Sequence, residues 1–134
     1  MSKLWILASG AYTGGMVFVP VMADTKKDVG NYIKNNVEKF FFMFADLYYC
    51  GDYYGKIYKK LKNWYKDDNF HDKIDDANKK KEFISDIMAV LEKMSDEEVV
   101  DELWGYNKDC ESSYVNINCT NVKNIVDLRK ELIA

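Results

Sequence analysis

Residues 3–36 read KLWILASGAYTGGMVFVPVMADTKKDVGNYIKNN, and the fold turns on how this stretch is taken. Two apolar runs, Leu4 to Ala8 and Met16 to Met22, flank a small polar centre, Ser9-Gly10-Ala11-Tyr12-Thr13-Gly14-Gly15. As one piece, the twenty residues from Leu4 to Ala23 carry no charge, and that length crosses a bilayer as a helix. Gly10 and Gly14 give a GxxxG spacing suited to close packing in lipid, and Val21-Met22-Ala23 has the small-residue character of a signal-peptidase site. As two pieces, each run is of strand length, and MVFVPVM is rich in β-branched and aromatic residues. Gly14-Gly15 supplies the positive φ angles of a tight hairpin. Pro20 has no N–H to give to a ladder, which marks the second strand as an edge. The polar, glycine-rich centre weakens both helix propensity and lipid partitioning, so a hairpin is the preferred reading and a membrane span or signal segment the alternative.

Directly behind this pair, Thr25-Lys26-Lys27-Asp28 approximates a capping box, with Asp28 near the positive end of the helix dipole. Val29, Tyr32, Ile33, Val37, Phe40, Phe41, Phe44, Leu47 and Tyr48 then recur at three- and four-residue spacing. They predict a helix from Lys26 to Tyr49, with Asn35-Asn36 as a candidate break. Further helices are expected over Lys56–Lys66, over Lys79–Met94, and from the capping box Ser95-Asp96-Glu97-Glu98 up to Gly105. Tyr114 to Cys119 alternates apolar and polar residues as a short strand, and a terminal helix follows through Ile133. A late strand needs a neighbour, and the first strand of the N-terminal hairpin is the expected one. The expected fold is α+β: a small sheet, made of the hairpin over 3–23 and one late strand, covered by four to five helices. The chain forms one domain, with a helical region over 26–104 and a strand–helix unit over 114–133.

The 134 residues, 48% of them hydrophobic, suit one domain with its own core and are too few for two. A formal net charge of −3 argues against general nucleic-acid coating and against an extreme acidic mimic of nucleic acid. Three cysteines, Cys50, Cys110 and Cys119, make an odd number without a CxxC motif. Reduced thiols and a cytoplasmic location are the simpler expectation, with a Cys110–Cys119 bridge conceivable only in an exported protein.

Three surfaces stand out as candidate sites. Tyr48, Tyr49, Tyr53 and Tyr54 surround a Gly51–Gly55 turn and offer large amphipathic area at low entropic cost. Asp96, Glu97, Glu98, Asp101 and Glu102 form an acidic helix. Lys56, Lys59, Lys60, Lys62 and Lys66 interleave with Trp64 in a basic aromatic helix of the kind that meets phosphates and stacks on bases.

No nucleophile is paired with a base, and one His excludes histidine clusters. The spacing of Asp72, Asp75 and Asp76 lacks the glycine and terminal glutamate of a calcium loop. An enzyme is not expected, nor a cofactor or metal. The leading expectation is a non-catalytic module that binds another protein through the tyrosines and the acidic helix. In general style such a chain resembles small accessory proteins of phages or mobile elements, some of which block host enzymes; the likeness covers only the opening third. The alternatives are a membrane-anchored or exported subunit using Leu4–Ala23, and a nucleic-acid or nucleotide binder using residues 56–66.

Overall fold

The computed structural model of the chain describes residues 3–9, 17–50, 55–109 and 115–121. The stretch that decides the fold is two antiparallel strands, β1 (Lys3–Ser9) and β2 (Val17–Ala23). The Gly14-Gly15 turn expected between them lies outside the described residues. In this register Trp5 faces Val21 and Leu7 faces Val19. Strand side chains alternate in direction, so these four share a face, and that face is turned to the core. Trp5 and Leu7 are buried, and Val19, Val21 and Ala23 pack against the core. On the opposite face Leu4 pairs with Met22 and Ile6 with Pro20, and Met22 is 64% exposed. The Trp5 indole N–H donates to the Ala23 carbonyl across the pair at 3.3 Å.

A third strand, β3 (Val115–Asn121), runs antiparallel on the other side of β1, giving the order β2-β1-β3. Pro20 therefore stands on an edge strand, the position in which a missing N–H is tolerated. Residues 3–9 and 17–23 are strands and not parts of the helix that a bilayer-crossing reading requires; they satisfy their backbone by pairing with each other. Among the described residues no helix is long and apolar enough to cross a membrane.

Helix α1 (Lys26–Asn35) starts where Thr25 Oγ1 accepts from the Asp28 N–H at 3.2 Å. The single long helix expected through Tyr49 is broken at Asn35-Asn36. The Asn36 side chain donates to the Tyr32 carbonyl at 2.9 Å, one of the competing backbone contacts that make Asn a poor interior helix residue. After a turn over residues 36–40 come α2 (Phe41–Asp46) and a 3-10 turn (Leu47–Cys50). Every residue of α2 is buried, as expected of a short segment with five apolar residues in six. Asp46 is buried with them and is engaged within the chain.

The basic stretch forms two short helices, α3 (Lys56–Lys60) and α4 (Lys62–Tyr65), that meet at Leu61. Then follow α5 (Phe70–Asp75), α6 (Ala77–Glu92) and α7 (Asp96–Asp109). The capping box before α7 is complete: Ser95 Oγ accepts from the Glu98 N–H at 3.1 Å, and Glu98 Oε1 accepts from the Ser95 N–H at 3.3 Å. Gly105 does not end α7, which continues to Asp109; one glycine costs a helix about 1 kcal/mol, too little to stop one anchored by the buried Val99, Val100 and Leu103. The terminal helix expected after β3 lies outside the described residues.

Phe70 centres the aromatic part of the core. Its ring stacks on Tyr48 with centroids 5.5 Å apart and meets Tyr65 and Phe83 edge-on, each at 5.3 Å. Tyr65, itself buried, donates its hydroxyl to the Phe44 carbonyl at 2.7 Å. This bond ties α4 to α2.

Candidate functional site

The acidic helix and the basic helix meet. Glu98 pairs with Lys56 at 2.8 Å, and Glu102 Oε1 accepts from the Ile57 N–H at 2.6 Å. Glu102 thereby caps α3, whose own N-cap, Gly55, has no side chain to do so. Asp96 pairs with Lys34 at 3.1 Å, and Asp101 with Lys26 at 2.6 Å. Lys34 also donates to the Met94 carbonyl. Four of the five acids singled out from the sequence thus bond to groups of this chain, while the fifth, Glu97, is exposed.

Electrostatics follow these contacts. The hydrogen bond from Lys56, helped by the Ser95 N–H, holds the Glu98 carboxyl below the ordinary carboxylate range. The same bond to Glu98 raises the Lys56 ammonium. The hydrogen bond to Asp101 raises Lys26. Ahead of α5, the Lys73 ammonium and then the Asn69 N–H hold Asp67 below the carboxylate range.

Of the tyrosines, Tyr48 is half-buried and stacked on Phe70, with the His71 ring edge-on to it at 5.0 Å. Tyr49 has its backbone in the 3-10 turn, and Tyr53 and Tyr54 lie outside the described residues. Trp64 is half-buried: its indole N–H donates to Asp86 Oδ2 at 2.8 Å, and its ring leans on Phe83 with centroids 5.1 Å apart. Lys59, Lys60, Lys62 and Lys66 are exposed around it.

A groove of about 580 Å³ opens where α3 faces the C-terminal half of α6. Leu61 and Met94, both buried in the core, and half-buried Val90 form its apolar floor. Lys56 and Lys60, one helical turn apart, rise on one wall, and Ala89 and Lys93 stand on the other. Asp86 is the acid of the lining, and it already accepts from Trp64. Among the described residues Lys60 and Lys93 have no ion-pair partner. Sequence reasoning picked out Lys56 and Lys60 but missed Lys93, Ala89 and Asp86. The signal available was faint: an alanine and a lysine spaced i, i+4 on a helix otherwise expected to serve the core.

A second concavity, of about 650 Å³, lies between the end of α1 and α6, with Val37, Ile84 and Met88 beside Lys34 and Lys39. Met88 there is 52% exposed. Among the described residues no group of three or more His, Cys, Asp or Glu side chains is placed to hold a metal ion. Cys119 carries a free thiol packed against the core, while Cys110 lies outside the described residues. Comparison with protein-family models, with curated proteins and with solved structures finds no match to this chain.

Proposed function

We propose that this chain is a non-catalytic interaction module: a small accessory or inhibitory protein that works by seating itself on another protein. The observation that carries this reading is the groove between α3 and α6. It combines an apolar floor of Leu61, Val90 and Met94 with a rim of lysines, the pairing of buried apolar contact and polar edge found at protein interfaces. The elements around it are braced by Lys56–Glu98, by Glu102 on the Ile57 N–H and by Trp64 on Asp86, so the surface is held in shape before a partner arrives. Preorganisation of this kind lowers the entropic cost of binding.

The acids drawn into internal contacts shift the proposed contact surface away from Asp96–Glu102 and toward this groove, with Tyr48 serving as part of the core. For the nucleic-acid reading, Trp64 is the ring that would stack on bases, and its commitment to Asp86 and Phe83 counts against it. The test is capture with the affinity-tagged full chain at physiological salt, followed by titration of the identified protein in purified form. A saturable one-to-one complex is the expected result. Failure of every captured protein to bind directly when purified overturns the reading.

A further inference from the structure

We infer that the groove between α3 and α6 receives an acidic amphipathic helix of a partner protein, a conclusion that rests on the interaction-module reading and adds the partner's chemistry. Half-buried Val90 and exposed Ala89, beside the buried Leu61 and Met94, are the apolar surface the groove still offers, and they call for a stripe of apolar residues on the occupant. The walls call for carboxylates on both sides of that stripe, because lysines stand on both: Lys56 and Lys60 from α3, Lys93 from α6. A helix with apolar residues at i, i+3, i+4 and i+7 and Glu or Asp flanking them presents this pattern. Lys56 is already neutralised by Glu98, so Lys60 and Lys93 are the charges left to recruit a partner.

Charge gives the groove its selectivity. The whole chain carries −3, so an acidic helix is repelled by the molecule at large and attracted at this groove. Ala89 is the small exposed residue of the α6 wall, and its short side chain lets a helix approach closely. A polyanion without an apolar stripe would leave the floor uncovered, and nucleic acid would find Trp64 already engaged.

The test is fluorescence anisotropy on the full chain. The probe is a labelled helical peptide of about 16 residues with leucines at i, i+3, i+4 and i+7, glutamates flanking that stripe and alanine or glutamine elsewhere. Saturable binding is expected, weakened about tenfold or more by the double change Lys60→Glu and Lys93→Glu and also by Ala89→Glu. The double change Lys62→Glu and Lys66→Glu, outside the groove but equal in charge, should weaken it far less. Lys60→Gln with Lys93→Gln provides a milder pair, and circular dichroism checks that each variant is folded. Absence of peptide binding, or binding indifferent to Lys60 and Lys93, overturns the inference. So does polyglutamate of the same length binding as well as the patterned peptide, or a labelled oligothymidylate competing it off through the same two lysines. If a partner identified by capture binds the Lys60/Lys93 variant as tightly as the natural chain, the groove is wrong while the interaction reading stands.

Discussion

Gly30 of α1 and Asp96 of α7 meet backbone to backbone: a Cβ built on Gly30 would fall 1.8 Å from the Asp96 carbonyl oxygen. Backbone atoms cannot step aside as a flexible side chain can, so Gly30→Ala must push α1 away from α7. In an open helix the same change stabilises by about 0.5–1 kcal/mol. Here a loss of about 2–3 kcal/mol is expected from overpacking, read as a lower urea midpoint. A stabilised variant would show that the two helices do not approach this closely.

Glu102 contributes more to stability than its place in an acidic run suggests, because it caps α3 through the Ile57 N–H. Glu102→Ala should cost about 1–2 kcal/mol by urea denaturation. Lys56→Ala, which breaks an exposed ion pair on the same two elements, should move the midpoint far less. Equal effects would mean that Glu102 acts only as part of a surface charge cluster.

Tyr65→Phe removes the hydroxyl that satisfies the Phe44 carbonyl inside the core and leaves the ring contacts in place. A loss of about 1–3 kcal/mol is expected. Phe70→Ala, which empties the centre of the aromatic cluster, should cost about 3–5 kcal/mol. Thermal melts of the two variants should therefore separate clearly, with Phe70→Ala the lower.

Stability should fall on acidification. Glu98 and Asp67 have carboxyls held below their ordinary range in the fold, so each favours the folded state above its unfolded pKa and loses that effect as pH drops through the folded one. Lys26 and Lys56 are shifted upward, so their contribution is complete below the ordinary lysine range and fades as pH rises through the raised values. A urea midpoint that declines from neutral pH into the acid range, and declines less in a Glu98→Gln/Asp67→Asn variant, is the expected profile. A variant that follows the natural chain point for point contradicts it.

The parts of the fold legible in sequence are those written in local backbone chemistry. Thr25 with Asp28, Ser95 with Glu98 and the break at Asn35-Asn36 each act over three or four residues, and the strand pair shows as two strand-length apolar runs around a glycine-rich centre. Long-range relations left little trace. Lys26 reaches Asp101 across 75 positions, and nothing near Gly30 reveals that Asp96 will lie against it. The acidic and basic helices were visible as opposite charges, but the contact that engages Glu98 and Glu102 depends on how α3 packs on α7, and the pairing of Asp96 and Asp101 depends on how α1 does. The groove escaped for the same reason. Lys60 and Lys93 come from different helices, and only packing makes them two sides of one site.

The measurement that bears most directly on function is the affinity of the purified, capture-identified partner for the natural chain and for the Lys60→Glu/Lys93→Glu variant, at two salt concentrations. The expected result is a saturable complex that weakens about tenfold or more in the variant and loses affinity as salt rises. A chain that forms no saturable complex with any purified protein would contradict the interaction reading itself.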